Sequence, residues 1–247
     1  MNSSSWKETF HIHSNETDMN GNAHPHALFN YMLDSASSHV IDSQFSYEAL
    51  LGEGRLWVLS RFFVVYHKIP KWKDEVIVET WGKGIDKLFG LRDFTITSLK
   101  GEKYAAATSA WLLIDRKSSR PQRLDTLREN FPFLLNRNEL DVKLEKLPPI
   151  SPGNKKSQYL VHFTDIDINK HVSSSKYMQW IINSFPHEIL KENMLSSFEI
   201  NYLAEAMIDE KVSVFTEKSG EYYLCEINRD SDNTVICRAK LKWNNPG

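Results

Sequence analysis

Cysteine is scarce: the 247 residues hold two, Cys225 and Cys237. That is too few for a disulfide framework, and too few for a zinc site without other ligands. Both lie in strand-like C-terminal segments with no histidine close in sequence, so they read as buried thiols in a reducing compartment. No apolar run approaches the ~20 residues of a membrane-spanning helix. Met1-Asn-Ser-Ser-Ser-Trp6 has no basic n-region or apolar h-region, and it lacks the Met-Gly start of myristoylation. These absences predict a cytoplasmic protein without membrane insertion. Net charge is only −2, so no basic field points to nucleic acid. His11-x-His13 and His24-x-His26 have no third or fourth ligand nearby, and no metal or cofactor is predicted.

Apolar and aromatic material is plentiful. Hydrophobic residues make up 41% of the chain, and 13 Phe, nine Tyr and seven Trp suit sheets and an apolar pocket. Trp6 to His13 reads as a strand. After a polar turn, Pro25 opens a helix with the apolar stripe Ala27, Leu28, Tyr31, Met32, Ala36, His39 and Val40. Ser46 to Leu51 adds a helical turn. Strands then fill Arg55 to Asp115, broken at Pro70, at Gly82 to Gly84 and at Lys100-Gly101. Residues 116 to 155 are rich in Arg, Lys and Pro and read as a connection, with one helical piece near Leu124 to Leu135. The pattern then restarts, with a strand at Gln158 to Phe163, a helix through Asn183, a short helix over His187 to Asn193, and four more strands.

The restart is an internal repeat. At an offset of 136, Phe62 meets Phe198, Tyr66 meets Tyr202, Val76 meets Val212, Val78 meets Val214 and Gly84 meets Gly220. Upstream, Thr17-Asp18…His24 echoes Thr164-Asp165…His171. Each half is a long helix with an antiparallel sheet, an α+β unit. Two copies in one chain imply packing of the kind seen in a homodimer, and further homodimerisation is compatible with that plan. The copies differ in polar content. The second carries Asp167, Asn169, His171 and, later, Glu205. The first offers Asn20, Asn22 and His24 without a matching acid, and Glu205 falls opposite Ile69. One site is therefore expected, in the second half.

The stretch Thr164 to Trp180 carries that site. Asp167, Asn169 and His171 stand at every second position, which an extended backbone would point to one face. Ser173 to Ser175 supply cap chemistry for a helix running through Tyr177, Trp180 and Ile181. A helix N-terminus with unpaired N–H groups favours developing negative charge, which suits acyl chemistry on a carbonyl. A calcium loop does not fit, because Lys170 replaces the required Gly and Lys176 the required Glu. A serine nucleophile lacks its Gly-x-Ser-x-Gly elbow. An Asx-rich turn that only caps the helix fits the stretch equally well.

Asp167-Ile-Asn-Lys-His-Val172, followed by Lys176-Tyr177, Trp180 and Asn201-Tyr-Leu-Ala-Glu205, resembles the acyl-acyl-carrier-protein thioesterases of plant plastids and bacteria. The resemblance covers essentially the whole chain. It implies an α+β tandem double hotdog: an N-terminal unit over 1–120 holding the acyl-chain pocket, a linker over 121–155, and a catalytic C-terminal unit over 156–247. It implies hydrolysis of a fatty acyl thioester on acyl carrier protein in fatty acid biosynthesis, with Asp167, Asn169, His171 and Glu205 as the catalytic set. Backbone N–H groups of Val172 and Ser173 are expected to take the oxyanion. Water activated by Glu205 and His171, or Glu205 acting as nucleophile through an anhydride, are the two schemes. Plant members have Asn-Asn where this chain has Ser173-Ser174, and a Cys where it has Ala206. Arg116, Lys117, Arg120 and Arg123 form a basic run that suits an acidic carrier, and a solvated linker explains the same run. Phe29, Met32, Trp57 and Phe62 suit a tunnel wall but read first as core. A hotdog acyl-CoA thioesterase and a non-catalytic acyl-binding module are the alternatives.

Overall fold

Period-two burial sets the strands. In β3 (Glu75–Asp86) Val76, Val78 and Thr80 are fully buried at alternate positions, while Ile77 and Glu79 are partly exposed. The computed structural model describes residues 3–151 and 154–244. It divides the chain into two units, Met1–Leu144 and Glu145–Gly247.

The first unit holds β1 (Trp6–His11), α1 (Pro25–Val40), α2 (Tyr47–Gly52), β2 (Arg55–Tyr66), β3, β4 (Phe89–Ser98), β5 (Lys103–Asp115) and α3 (Asp125–Asn130). Its strands pair antiparallel in the order β1-β3-β4-β5-β2. Helix α1 starts at Pro25, where the missing N–H is harmless, and packs on β1 and β3. Its buried face includes Ala27, Leu28, Tyr31, Met32, Ala36 and His39 of the expected stripe, together with Phe29 and Ser35. Phe29 and Phe62 meet edge to face at 4.4 Å, and both are fully buried, as is Met32. The expected break at Gly82 to Gly84 is a bulge inside β3, where the register against β4 shifts.

Residues 121–144, read from sequence as a connection, lie within the first unit. Leu124, Leu127 and Phe131 join Phe45, Leu50 and Leu113 in one buried cluster. Gly82 makes the close approach possible, since a Cβ there would lie 2.5 Å from the Phe131 ring. Arg137 grips Glu79 through two bonds of 2.8 and 2.9 Å and lies over the Trp81 ring. A polar and basic composition hid this packing, because only every third or fourth residue faces inward.

The second unit repeats the plan with β6 (Asn154–Leu160), α4 (Ser174–Asn183), α5 (His187–Glu192), β7 (Met194–Tyr202), β8 (Lys211–Ser219), β9 (Tyr222–Arg229) and β10 (Val235–Asn244). The order is β6-β8-β9-β10-β7, again antiparallel. Both units are α+β, as expected. Cys225 and Cys237 are buried free thiols on β9 and β10. Among the described residues no helix is long and apolar enough to cross a membrane.

Among the described residues, one buried charge in the first unit has no carboxylate hydrogen-bonded to it. Arg92 donates through Nη1 to Thr80 Oγ1 and to His39 Nδ1, each at 3.0 Å. Burial and the neighbouring Arg92 cation lower the His39 pKa to about 4, from an ordinary value near 6.5. The unfolded chain therefore binds a proton that the folded chain refuses between about pH 6.5 and 4, so stability is lost as the pH is lowered through that window. Urea midpoints between pH 7 and 4 should show this fall, and His39→Gln should flatten it. Phe131→Ala should destabilise the first unit by about 3–5 kcal/mol in the same assay at pH 7; a loss under ~1 kcal/mol would show that the cluster contributes little.

Candidate active site

The Asp167–His171 stretch is a turn. The 3-10 segment Phe163–Asp165 leads in, and Ile166 pairs with Val172 as an isolated antiparallel bridge. Between them Lys170 N–H donates to Asp167 O and Asp167 N–H to His171 O, both at 2.9 Å. Lys170 takes φ 69°, left-handed backbone that costs an L-residue roughly 1–2 kcal/mol. The expectation of an extended strand fails here. Chain reversal, not strand alternation, brings the three residues together.

Asp167 caps its own turn, with Oδ1 accepting the Asn169 N–H at 2.8 Å. It thus orients Asn169 and His171 through the main chain. The Asn169 side-chain amide has no hydrogen-bond partner among the described residues. Glu205 follows β7 in a loop whose first N–H groups, Leu203 and Ala204, both donate to Ile236 O. Its Oε2 lies 3.0 Å from His171 Nε2, with side chains 50% and 27% exposed. One backbone bond ties the two loops together, Val172 N–H to Ala206 O at 3.1 Å.

That bond corrects the oxyanion expectation. Val172 N–H is committed to Ala206 O, and Ser173 N–H to Asp165 O at 2.9 Å. Neither is free to receive an oxyanion. Ser173 is the N-cap of α4, though its hydroxyl lies 3.2 Å from Ser175 Oγ and makes no cap bond to backbone. The open donors at this helix start belong to Ser174 and Ser175, whose N–H groups have no acceptor one turn earlier within the helix.

The first unit contains the same turn with different chemistry. Asp18 N–H donates to Asn22 O, Gly21 N–H to Asp18 O, and Asn20 N–H to Asp18 Oδ1. Thr17 bridges Ala23, and Gly21 takes φ 75°. Asp18, Asn20 and Asn22 thus stand where Asp167, Asn169 and His171 stand. The sequence pairing of Thr17-Asp18 with Thr164-Asp165 slips by two residues, and the acid thought missing is Asp18. Across the site, Ala23 N–H donates to Pro70 O at 2.8 Å, as Val172 does to Ala206. Ile69 therefore stands at the place of Glu205, as the offset of 136 predicted. The first copy keeps the turn but lacks the imidazole and the carboxylate.

Residues 3–129 match the acyl-ACP thioesterase N-terminal domain, and residues 152–245 match the acyl-ACP thioesterase C-terminal domain. The chain belongs to the acyl-ACP thioesterase family. It is 27% identical to a chloroplastic palmitoyl-acyl carrier protein thioesterase of Gossypium hirsutum over 96% of its length, and 28% identical to oleoyl-acyl carrier protein thioesterase 2 of Arabidopsis thaliana over 86%. It spans 63% and 62% of those two proteins. An acyl-ACP thioesterase from Bacteroides thetaiotaomicron superposes with TM-score 0.89 at 24% identity, covering 98% of both chains. The 12:0-ACP thioesterase of Umbellularia californica gives 0.86 at 22% identity, covering 99% of both. These likenesses establish the fold, so each unit of this family member is a hotdog unit.

Glycine at Gly21 shows the less strained solution for the turn. Lys170→Gly should stabilise the second unit by about 0.5–1 kcal/mol in urea unfolding. A loss of stability would contradict the left-handed assignment.

Proposed function

We propose that this chain hydrolyses fatty acyl thioesters carried on acyl carrier protein, releasing the free fatty acid and the carrier thiol. The observation that carries the proposal is the His171–Glu205 pair at 3.0 Å, set beside an unengaged Asn169 amide at the start of a helix, in a chain of this family. An acyl-binding module needs no such acid–imidazole pair.

In this reading a water molecule attacks the thioester carbonyl carbon. Its proton passes to the Glu205–His171 pair. The tetrahedral oxyanion is met by donors at the start of α4, where Ser174 and Ser175 N–H replace the groups first expected; one such donor is typically worth ~2.7–4 kcal/mol in the transition state. Collapse breaks the C–S bond, and the proton returns to the leaving thiolate. Asn169 holds the carbonyl or the water, and Asp167 holds the turn. Water is the only co-reactant required. Cys225 and Cys237 take no part: burial raises both thiols, which disfavours a thiolate nucleophile. Free buried thiols also suit a reducing compartment such as the cytoplasm.

The partner in this reading is an acidic carrier. Arg116, Lys117 and Arg120 are exposed on the first unit. In the same unit, Lys87, Arg123 and Arg128 line a cavity of about 260 Å³ with Asp125, Leu88 and Leu124. Basic faces of this kind suit an acidic carrier.

Release of free thiol from C8 to C18 acyl carrier protein, beside the matching acyl-CoAs, tests the proposal. Fast release from the carrier is expected, falling by about 10²–10⁴ in Glu205→Ala and in His171→Ala. Comparable efficiency on acyl-CoA would instead indicate a CoA thioesterase. Acyl binding without release would indicate a binding module.

A further inference from the structure

Side chains hold both polar atoms of the peptide group joining Glu205 to Ala206. Arg229 Nη2 donates to the Glu205 carbonyl oxygen at 2.9 Å. The Ala206 N–H donates to the Tyr177 hydroxyl at 3.1 Å. This segment lies beyond the end of β7, so no strand ladder fixes it. Residue 206 is then tied through its own carbonyl to Val172 N–H. A peptide plane gripped at C=O and N–H has little freedom about its flanking dihedrals, and that fixes where the Glu205 Cα–Cβ bond points.

Both gripping residues are themselves fixed. Tyr177 projects from α4, is 3% exposed, and packs edge-on against Trp180 and Tyr202. Burial pushes its phenol pKa up, so it stays neutral and remains a good acceptor for the amide. Arg229 stands at the end of β9 with Nε 3.4 Å from Glu210 and Nη1 3.4 Å from Asp232. Glu210 in turn accepts the Met207 N–H at 2.8 Å, closing the same loop from its far side.

The first unit lacks the three parts that hold the peptide plane, although Asp74 still accepts the Lys71 N–H at 2.8 Å as Glu210 accepts that of Met207. Pro70 stands at the place of Ala206 and has no N–H to donate. Leu28 is the fourth residue of α1, as Tyr177 is of α4, and offers no hydroxyl. Ser98 matches Arg229: it pairs with Val76 as Arg229 pairs with Val212, and its N–H closes the next hairpin in the same way. The framework around them is retained, since Tyr66 OH donates to Pro25 O as Tyr202 OH donates to Ser174 O. Donor, acceptor and clamp are absent together in the copy that has Ile69 for the carboxylate.

We propose that Tyr177 and Arg229 are positioning residues that lock the Glu205–Ala206 peptide plane and so aim the Glu205 carboxylate at His171. The proposal rests on the hydrolytic reading above. It is tested on the full chain with Tyr177→Phe, Arg229→Met and Arg229→Lys, each also made in a Glu205→Ala background, by thiol release from acyl carrier protein and by thermal unfolding. Misplacing a reacting group by about 1 Å can lower rate by ~10², so Tyr177→Phe and Arg229→Met should lower kcat roughly 10- to 100-fold. KM should stay within about threefold, because the lost interaction serves the transition state and not uniform binding. Arg229→Lys should recover part of the rate. In the Glu205→Ala background neither substitution should lower the residual rate further. Full kcat in both single variants, while Glu205→Ala is inactive, would overturn the proposal and leave the hydrolytic reading standing. A further fall in the Glu205→Ala background would also overturn it, by showing that the two residues act otherwise than through Glu205. Wild-type turnover by Glu205→Ala would remove the reading on which the proposal rests.

Discussion

The site depends on one backbone hydrogen bond, from Val172 N–H to Ala206 O. His171 and Glu205 are 34 residues apart and lie on loops that share no strand ladder. The bond joins the residue after His171 to the residue after Glu205. Each flanking peptide is then held locally: Asp167 closes the turn on one side, while Tyr177 and Arg229 hold the plane on the other. A carboxylate 50% exposed would otherwise sample many rotamers. Anchoring the main chain at several points is how a surface loop can present a side chain with little wander.

The repeat makes the division between scaffold and chemistry visible. Both units conserve the geometry of the turn, including an Asp that caps it, a residue with positive φ, and a tyrosine hydroxyl reaching the first residue of the helix. These features are needed to fold the junction in either copy. The residues that differ, Asn22 for His171, Ile69 for Glu205, Leu28 for Tyr177 and Ser98 for Arg229, are the ones that carry or aim a proton-transfer group in the proposed hydrolysis. The copy without that group has no need of the grip, and proline at position 70 makes its loss hard to reverse.

Much of this was legible in the sequence, for a physical reason. Long amphipathic elements such as α1 and β3 announce themselves by periodicity, and Pro25 marks a helix start to the residue. The offset of 136 placed Ile69 opposite Glu205 because it rests on strand residues whose spacing pairing fixes. The turn was less legible. A lysine at φ 69° carries no signal, whereas Gly21 in the other copy does. Matching letters then aligned Thr17 with Thr164, two residues from the register set by hydrogen bonds. The oxyanion expectation failed for a related reason: which N–H groups a helix start leaves open depends on long-range acceptors such as Ala206 O, and these appear only in the fold. The packing of Leu124, Leu127 and Phe131 was obscured by the charged residues between them.

The central claim is that the turn of the second unit does the chemistry and that the turn of the first is framework. Its most direct measurement compares kcat/KM for release of the carrier thiol between two double variants, Asn20→Ala/Asn22→Ala and Asn169→Ala/His171→Ala, at equal thermal stability. The account predicts that the first pair stays within about threefold of the parent, while the second falls by at least ~10². Equal losses in both pairs, or a loss confined to the first, would contradict it.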